Sequence, residues 1–232
     1  MIFIWAPYDS KTANALGEQL GKGGHRVKTI HENLSIGPHD LIVNWGSKSC
    51  PKGPYVLNQH VWANKFKEIK MLYVEGVPVP EISLKPKEGF IGRKSDHVDG
   101  YDLLEGAKGD YYVEFVETID EYRVHSWKGK TLLLEKREKA GKNPHPWIRS
   151  CEAGWNLYAE TFDHSIPYLA GIRTTAHNAV KVLGYDFGAV DIARRKGGGL
   201  VVFEVNSAPG LEGYELTTYV NAINQVYKEI QV

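Results

Sequence analysis

Cysteine is scarce in this chain: two residues in 232, Cys50 and Cys151. Thiols so far apart make neither a disulfide framework nor a ligand cluster, which excludes a small disulfide-stapled scaffold and a cysteine-based zinc module. An excess of either charge is also lacking. Lysine plus arginine is 28 and aspartate plus glutamate is 28, so nothing global draws the chain to nucleic acid or an anionic membrane. Long apolar runs are missing as well. The opening MIFIWAPYDSK turns polar within its first turn-forming residues and has no basic stretch ahead of them, unlike a signal peptide. No run approaches the length of a membrane span, and a reducing, cytoplasmic setting is the expectation.

What is present is ordinary globular composition, 42% hydrophobic and 24% charged. Residues 2–6 read as a buried strand, and Ser10 as the cap of a helix that the GKGG run at 21–24 stops. Strands follow at 25–30 and 40–44, giving a small α/β lobe over 1–60. Apolar residues at three- and four-residue steps predict a helix over 61–74, ended by Gly76, Pro78 and Pro80. Short strands are expected over 81–117, and a hairpin turning at 128–130. A helix over 174–183, two strands within 187–206 and a closing helix over 219–230 complete the pattern. The expected division is 1–60, 61–117 and 118–232. The basic stretches at 85–94 and 128–142 read equally as solvated faces or as phosphate-facing segments.

The most informative segment is DFGAVDIARRKGGGLVVFEVNSAPGLEG, residues 186–213. Two β-rich runs flank Lys196-Gly197-Gly198-Gly199, which predicts an antiparallel hairpin. A turn centred between Gly197 and Gly198 sets Asp191 opposite Glu204, with Asn206 on the same face by alternation. Facing carboxylates repel unless a cation lies between them. Two carboxylates and an amide oxygen form a hard set suited to Mg²⁺, which takes its remaining ligands from water and phosphate. A solvent-exposed face with a shifted register is the competing reading.

The segment VDIARRKGGGLVVFEVNSAPGLEGYELTT resembles the ATP-grasp superfamily, and within it the RimK-type carboxylate–amine ligases. The shared pattern is a strand bearing aspartate, a turn, and an E-V-N-x-x-P-G strand and loop. The resemblance implies an α/β (α+β) ATP-grasp fold, with a short N-terminal α/β lobe and two lobes clasping ATP. It implies Asp191, Glu204 and Asn206 as ligands of Mg²⁺. By the same resemblance YYVEFVETIDEYRVHSW carries the interdomain hinge, with Glu114, Phe115 and Val116 along the adenine site and Glu121 on the ribose hydroxyls. Arg123 follows on the same strand face. Residues 92–100 resemble the loop over the triphosphate, with Arg93 or Lys94 neutralising phosphate charge. Lys136, Arg137 and Arg149 fall in the region that meets nucleotide and reacting groups. Lys136 is expected with the nucleotide, and Arg137 and Arg149 at the developing charge. The chain departs from the family at Val113, at Cys151 in an asparagine position and at Trp155 in a glycine position.

The implied activity is ATP-dependent joining of a carboxylate to an amine, through an acyl phosphate and with release of ADP. Substrates are small molecules or peptides, and the short N-terminal lobe leaves room for a macromolecular acceptor. Pairing of copies is a family habit. A non-catalytic ATP-binding sensor or scaffold is the alternative, and the intact metal triad argues against it. The sequence contains no G-x-x-x-x-G-K-[ST], H-E-x-x-H or G-x-S-x-G string, and its nine histidines have no ligand spacing.

Overall fold

A computed structural model describes residues 1–7, 10–24, 27–30, 35–62, 64–95, 108–141, 143–145, 148–160 and 167–232. Residues 96–100 of the expected triphosphate loop lie outside that set. The chain forms two compact units, each discontinuous in sequence. The first comprises Met1–Val61, Gly184–Ala189 and Asn206–Val232, and the second Trp62–Leu183 and Val190–Val205.

The first unit is built on a parallel sheet, ordered β2-β1-β3-β4, from β1 (Ile2–Trp5), β2 (Val27–Ile30), β3 (Leu41–Asn44) and β4 (Tyr55–Leu57). The runs IFIW and LIVN are almost wholly buried, as expected of strands in a sheet covered on both faces. Helix α1 (Lys11–Lys22) starts where Ser10 Oγ accepts the Ala13 amide at 3.2 Å. The last helix, α4 (Gly213–Ile230), begins six residues earlier than its periodicity suggests. It packs on α1 and buries Leu216, Tyr219, Ile223 and Val226 at three- and four-residue steps. Trp45 anchors this core, stacked on Phe187 with ring centroids 5.3 Å apart and edge-on to Tyr219 at 5.5 Å.

In the second unit, α2 (Lys65–Val74) is capped by Asn64, whose Oδ1 accepts the Lys67 amide at 3.0 Å. The cap moves the helix start four residues past the expected one. A three-stranded sheet follows, ordered β5-β7-β6, from β5 (Ile82–Ser83), β6 (Phe90–Arg93) and β7 (Tyr111–Glu114). The long hairpin of β8 (Thr118–Trp127) and β9 (Lys130–Lys139) turns through Lys128 and Gly129 at φ of 46° and 74°. Positive φ at both central residues gives the turn whose twist matches its strands, and glycine takes that conformation without penalty. Next come β10 (Trp155–Ala159), not foreseen in the sequence, α3 (Pro167–Val182), β11 (Phe187–Arg195) and β12 (Leu200–Asn206). The five-stranded sheet is ordered β10-β9-β8-β11-β12, so the expected hairpin over 187–206 forms the adjacent strands β11 and β12.

Candidate active site

Alternation along β8 and β9 places a band of charge on one sheet face. Glu121 lies directly opposite Arg137, and Arg123 opposite Glu135. Opposite charges facing across a ladder attract, and burial strengthens that attraction. The Arg123 guanidinium grips Asp191 of β11 through both ends, Nε to Oδ1 at 2.7 Å and Nη2 to Oδ2 at 2.8 Å. Arg137 Nη2 reaches the same Oδ2 at 3.3 Å. Burial pushes the Asp191 carboxyl up, but Arg123 overcomes this and holds it down at about 2, so it is ionised at neutral pH.

On β12, Glu204 Oε1 is 2.7 Å from Lys65 Nζ, in the first turn of α2. The same ammonium is 3.4 Å from Glu68 Oε2 and donates to the Val205 carbonyl at 3.3 Å. Glu121 binds Arg149 at 2.8 Å and is within 3.6 Å of Arg137, while the Thr118 hydroxyl donates to it at 3.4 Å. Burial raises the Glu121 carboxyl despite the two arginines. Arg137 also donates to the Arg149 carbonyl, tying the 148–150 segment to the sheet.

Apart from Glu135, these side chains line one cavity of about 360 Å³ in the second unit, whose wall also includes Arg93, Glu114, Phe115 and Val116. Ile69, Leu72, Ile91 and Phe203 supply its apolar surface. The Glu114 carboxylate is held by Arg195, at 2.9 and 3.2 Å, and by the Glu81 amide at 3.1 Å. Arg195 keeps that carboxyl below its usual value. The Glu114 and Phe115 amides donate to Glu81 O and Gly89 O, which pins the segment between the two sheets.

Of the twelve residues given a role from the sequence, nine meet at one cavity: Arg93, Glu114, Phe115, Val116, Glu121, Arg137, Arg149, Asp191 and Glu204. Lys136 does not. It is the strand neighbour of Arg137, so alternation turns it to the opposite face, where it pairs with Glu138 at 3.1 Å, across the ladder from Tyr122. Lys94 is also outside the lining. Its ammonium is 3.5 Å from Asp110, whose carboxylate accepts from the Ser95 amide and hydroxyl. Asn206 ends β12 in the first unit, and its Oδ1 accepts the Ala208 amide at 2.9 Å.

Lys65 and Glu68 were not anticipated. A polar pair in the first turn of an amphipathic helix reads as solvent-facing, and no local signal in the sequence marks where that turn points. Among the described residues, no group of three or more histidine, cysteine, aspartate and glutamate side chains is arranged to hold a metal. The donor chemistry still fits a hard divalent cation. Asp191 and Glu204 are oxygen donors, and both already hold a cationic side chain, Arg123 and Lys65.

No known family profile matches the chain. It is 44% identical to a Marinomonas sp. (strain MWYL1) protein named probable alpha-L-glutamate ligase, in an alignment that covers 97% of this chain and 91% of that one. Among solved structures, the ATP-grasp ligase PsnB complexed with minimal precursor superposes with a TM-score of 0.67 at 13% identity, over 97% of this chain and 98% of that one. A RimK domain ATP-grasp protein from Sphaerobacter thermophilus gives 0.59 at 15% identity, over 98% of each chain. At such identities the solved structures establish the fold, and no helix among the described residues is long and apolar enough to cross a membrane.

Proposed function

We proceed from the family to which this chain belongs, the RimK-like ATP-grasp carboxylate–amine ligases, and propose that ligation takes place in the cavity of the second unit. The observation that carries this reading is the convergence of Asp191, Glu204, Lys65, Arg123, Arg137 and Arg149 on that one cavity. Four fixed cations beside two carboxylates suit a reaction in which negative charge is delivered, moved and removed.

In this reading the base lies against Glu114–Val116 and the apolar wall, and Glu121 accepts hydrogen bonds from the ribose diol. Arg93 and Lys65 face phosphate charge. Asp191 and Glu204 would hold Mg²⁺, with Asn206 the third candidate ligand. A divalent ion held there would supply positive charge to offset that of the phosphates. The substrate carboxylate attacks the γ-phosphorus, giving an acyl phosphate and ADP. An amine then displaces phosphate, the C–N bond forms as the C–O bond breaks, and the amine releases a proton. Arg137 and Arg149 offset the charge that builds on the acyl and phosphoryl oxygens, fixed in place beforehand by Glu121 and Asp191.

Relatives named for glutamate ligation and a fold neighbour complexed with a peptide precursor favour an amino acid or a peptide terminus as substrate. The test is ADP release from ATP and Mg²⁺ over a panel of amino acids, amines and short peptides, beginning with glutamate, with product masses recorded. Stimulated release with an amide product is expected, and Asp191→Ala with Glu204→Ala should reduce it at least 1,000-fold, in line with about 4 kcal/mol of lost charge stabilisation. ATP binding without any amide product would favour a nucleotide sensor. Absence of ATP binding would overturn the reading.

A further inference from the structure

Trp155 stands where the family resemblance expects glycine, and nothing in the ligation chemistry calls for an indole there. Its place in the molecule gives it a task. The ring is buried at 7% exposure and opens β10, paired with Lys139 two residues beyond Arg137. Alternation along β9 and across the ladder therefore puts it on the face that carries Arg137 and Glu121. The Arg149 guanidinium carbon lies 4.8 Å from the ring centroid. Its edge meets Glu121 at 2.8 Å, and its backbone carbonyl accepts from Arg137. Trp155 itself is absent from the cavity wall, whereas Arg149 is part of it.

The indole is fixed in turn. Its Nε1 donates to the His145 carbonyl at 2.9 Å, and its amide donates to the Ser150 carbonyl at 3.0 Å. His145 Nδ1 accepts the Ile148 amide at 2.9 Å, and the His145 amide donates to Ala153 O at 2.8 Å. Gly154 at φ of 85° passes within 3.1 Å of Pro144 Cα, measured from where a Cβ would stand. The residues flanking Arg149 are thus wound around one aromatic side chain.

We propose that Trp155 is a positioning residue for Arg149: the indole face and the Glu121 carboxylate together hold the guanidinium aimed into the cavity. Arginine is rich in rotamers, and a carboxylate at one edge leaves it free to swing about that contact. A flat ring against its face removes this freedom through cation–π and stacking contact. The inference rests on the assignment of Arg149 to the reacting groups, and its test separates the two.

Two readouts are needed, one of them independent of turnover. In the first, Arg149 and Arg194 are followed by phenylglyoxal labelling and peptide mass mapping in the natural chain and in Trp155→Leu, Trp155→Met and Trp155→Phe. Arg194 is the internal reference, since it lies over Tyr168 and pairs with Asp120 away from Trp155. Labelling of Arg149 should rise about fivefold in the leucine and methionine variants, and less than twofold in the phenylalanine variant, with Arg194 unchanged. Equal Arg149 rates in all four proteins, or a parallel rise at Arg194, would overturn the inference.

The second readout is ADP release from ATP and Mg²⁺ with glutamate. Trp155→Leu should lower kcat about tenfold, with KM for ATP within twofold, and Trp155→Phe should restore most of the loss. In an Arg149→Ala background the leucine substitution should cost less than a further twofold, because its target is gone. Undiminished additivity would assign Trp155 to the fold instead. Full activity of Arg149→Ala alone would overturn the role of Arg149, and that of Trp155 in catalysis with it.

Discussion

Glu68 occupies the first turn of α2 with its carboxylate 3.4 Å from Lys65, and its Oε1 is buried with no hydrogen-bond partner among the described residues. Burial pushes its carboxyl up to about 7. A folded value above the unfolded one, about 4.3, means that the folded protein binds this proton more tightly. Stability is then lost as pH rises from about 4 to about 7 and the group is forced to ionise. Glu68→Gln removes that penalty. In ligand-free protein it should be near neutral at pH 4.5 and stabilising by about 1 to 3 kcal/mol at pH 8, read from urea denaturation at the two values. A gain of the same size at both pH values would contradict this account. Cys50 offers a second pH test. Packed against the Phe3–Ile42 cluster, its thiol is pushed by burial up to about 11. At neutral pH iodoacetamide should label the exposed Cys151 at least tenfold faster than Cys50, with the gap closing towards pH 10. Comparable rates at pH 7.5, measured by mass spectrometry, would show that the cluster opens readily. The residues of the cavity divide by how plainly sequence announces them. Asp191 and Glu204 stand in strands flanking a glycine-rich turn, so alternation and spacing expose them. Lys65 was hidden, because a lysine in a first helical turn has the same local pattern whether it faces solvent or a carboxylate. Lys136 is grouped with Arg137 by the family resemblance alone, while the period of the strand separates them.

Among the elements, the β6–β7 pair depends most narrowly on one residue. A Cβ on Gly109 would stand 2.4 Å from the Arg93 amide nitrogen and 2.5 Å from the Tyr111 carbonyl oxygen. Both are backbone atoms, so the strand ends must move to admit it. Since Arg93 and Tyr111 line the cavity, the movement reaches its wall. Gly109→Ala should destabilise by about 1 to 3 kcal/mol, the range for overpacking, and raise KM for ATP several-fold. Thermal melting and ADP-release kinetics on the same preparation check both, and an unchanged Tm would exclude the clash. Strands and hairpins were legible because their turns are written in glycine and their faces in alternation. Helix starts were less so. The Glu212 amide donates to Glu215 at 3.3 Å and opens α4, yet glutamate is not a favoured capping residue and gave no boundary signal. β10 was hard to read because WNLYA is short and carries one clearly polar residue, Asn156, too little alternation to mark a strand.

At the level of the whole molecule, the discontinuity of the first unit is held by a buried asparagine. Asn58, at φ of 55°, donates its amide to Asp186 at 2.7 Å and its Nδ2 to Phe187 O at 3.0 Å, while its Oδ1 accepts the Asp186 and Phe187 amides. Its carbonyl accepts from Asn44 at 2.9 Å. Left-handed backbone suits asparagine, and every polar atom of its side chain is used. Asn58→Ala strands the half-buried Asp186 amide and the buried amide and carbonyl of Phe187, and should destabilise by about 3 to 5 kcal/mol, seen as a lowered urea midpoint for the first unit. A loss under 1 kcal/mol would mean that 184–189 is held by the Trp45–Phe187 packing alone. Sequence could not show this tie, since it joins residues 128 positions apart and has no local signature.

The chain passes from one unit to the other after Val61, Leu183, Ala189 and Val205. On the ribosome this orders events. The second unit has all its strands once Val205 has emerged, but β1, β3 and α1, made first, lack α4 until translation reaches Ile230. Within this sequence, strands that come early thus share a core with a helix that comes late, and until α4 is available their apolar faces favour transient collapse or chaperone contact.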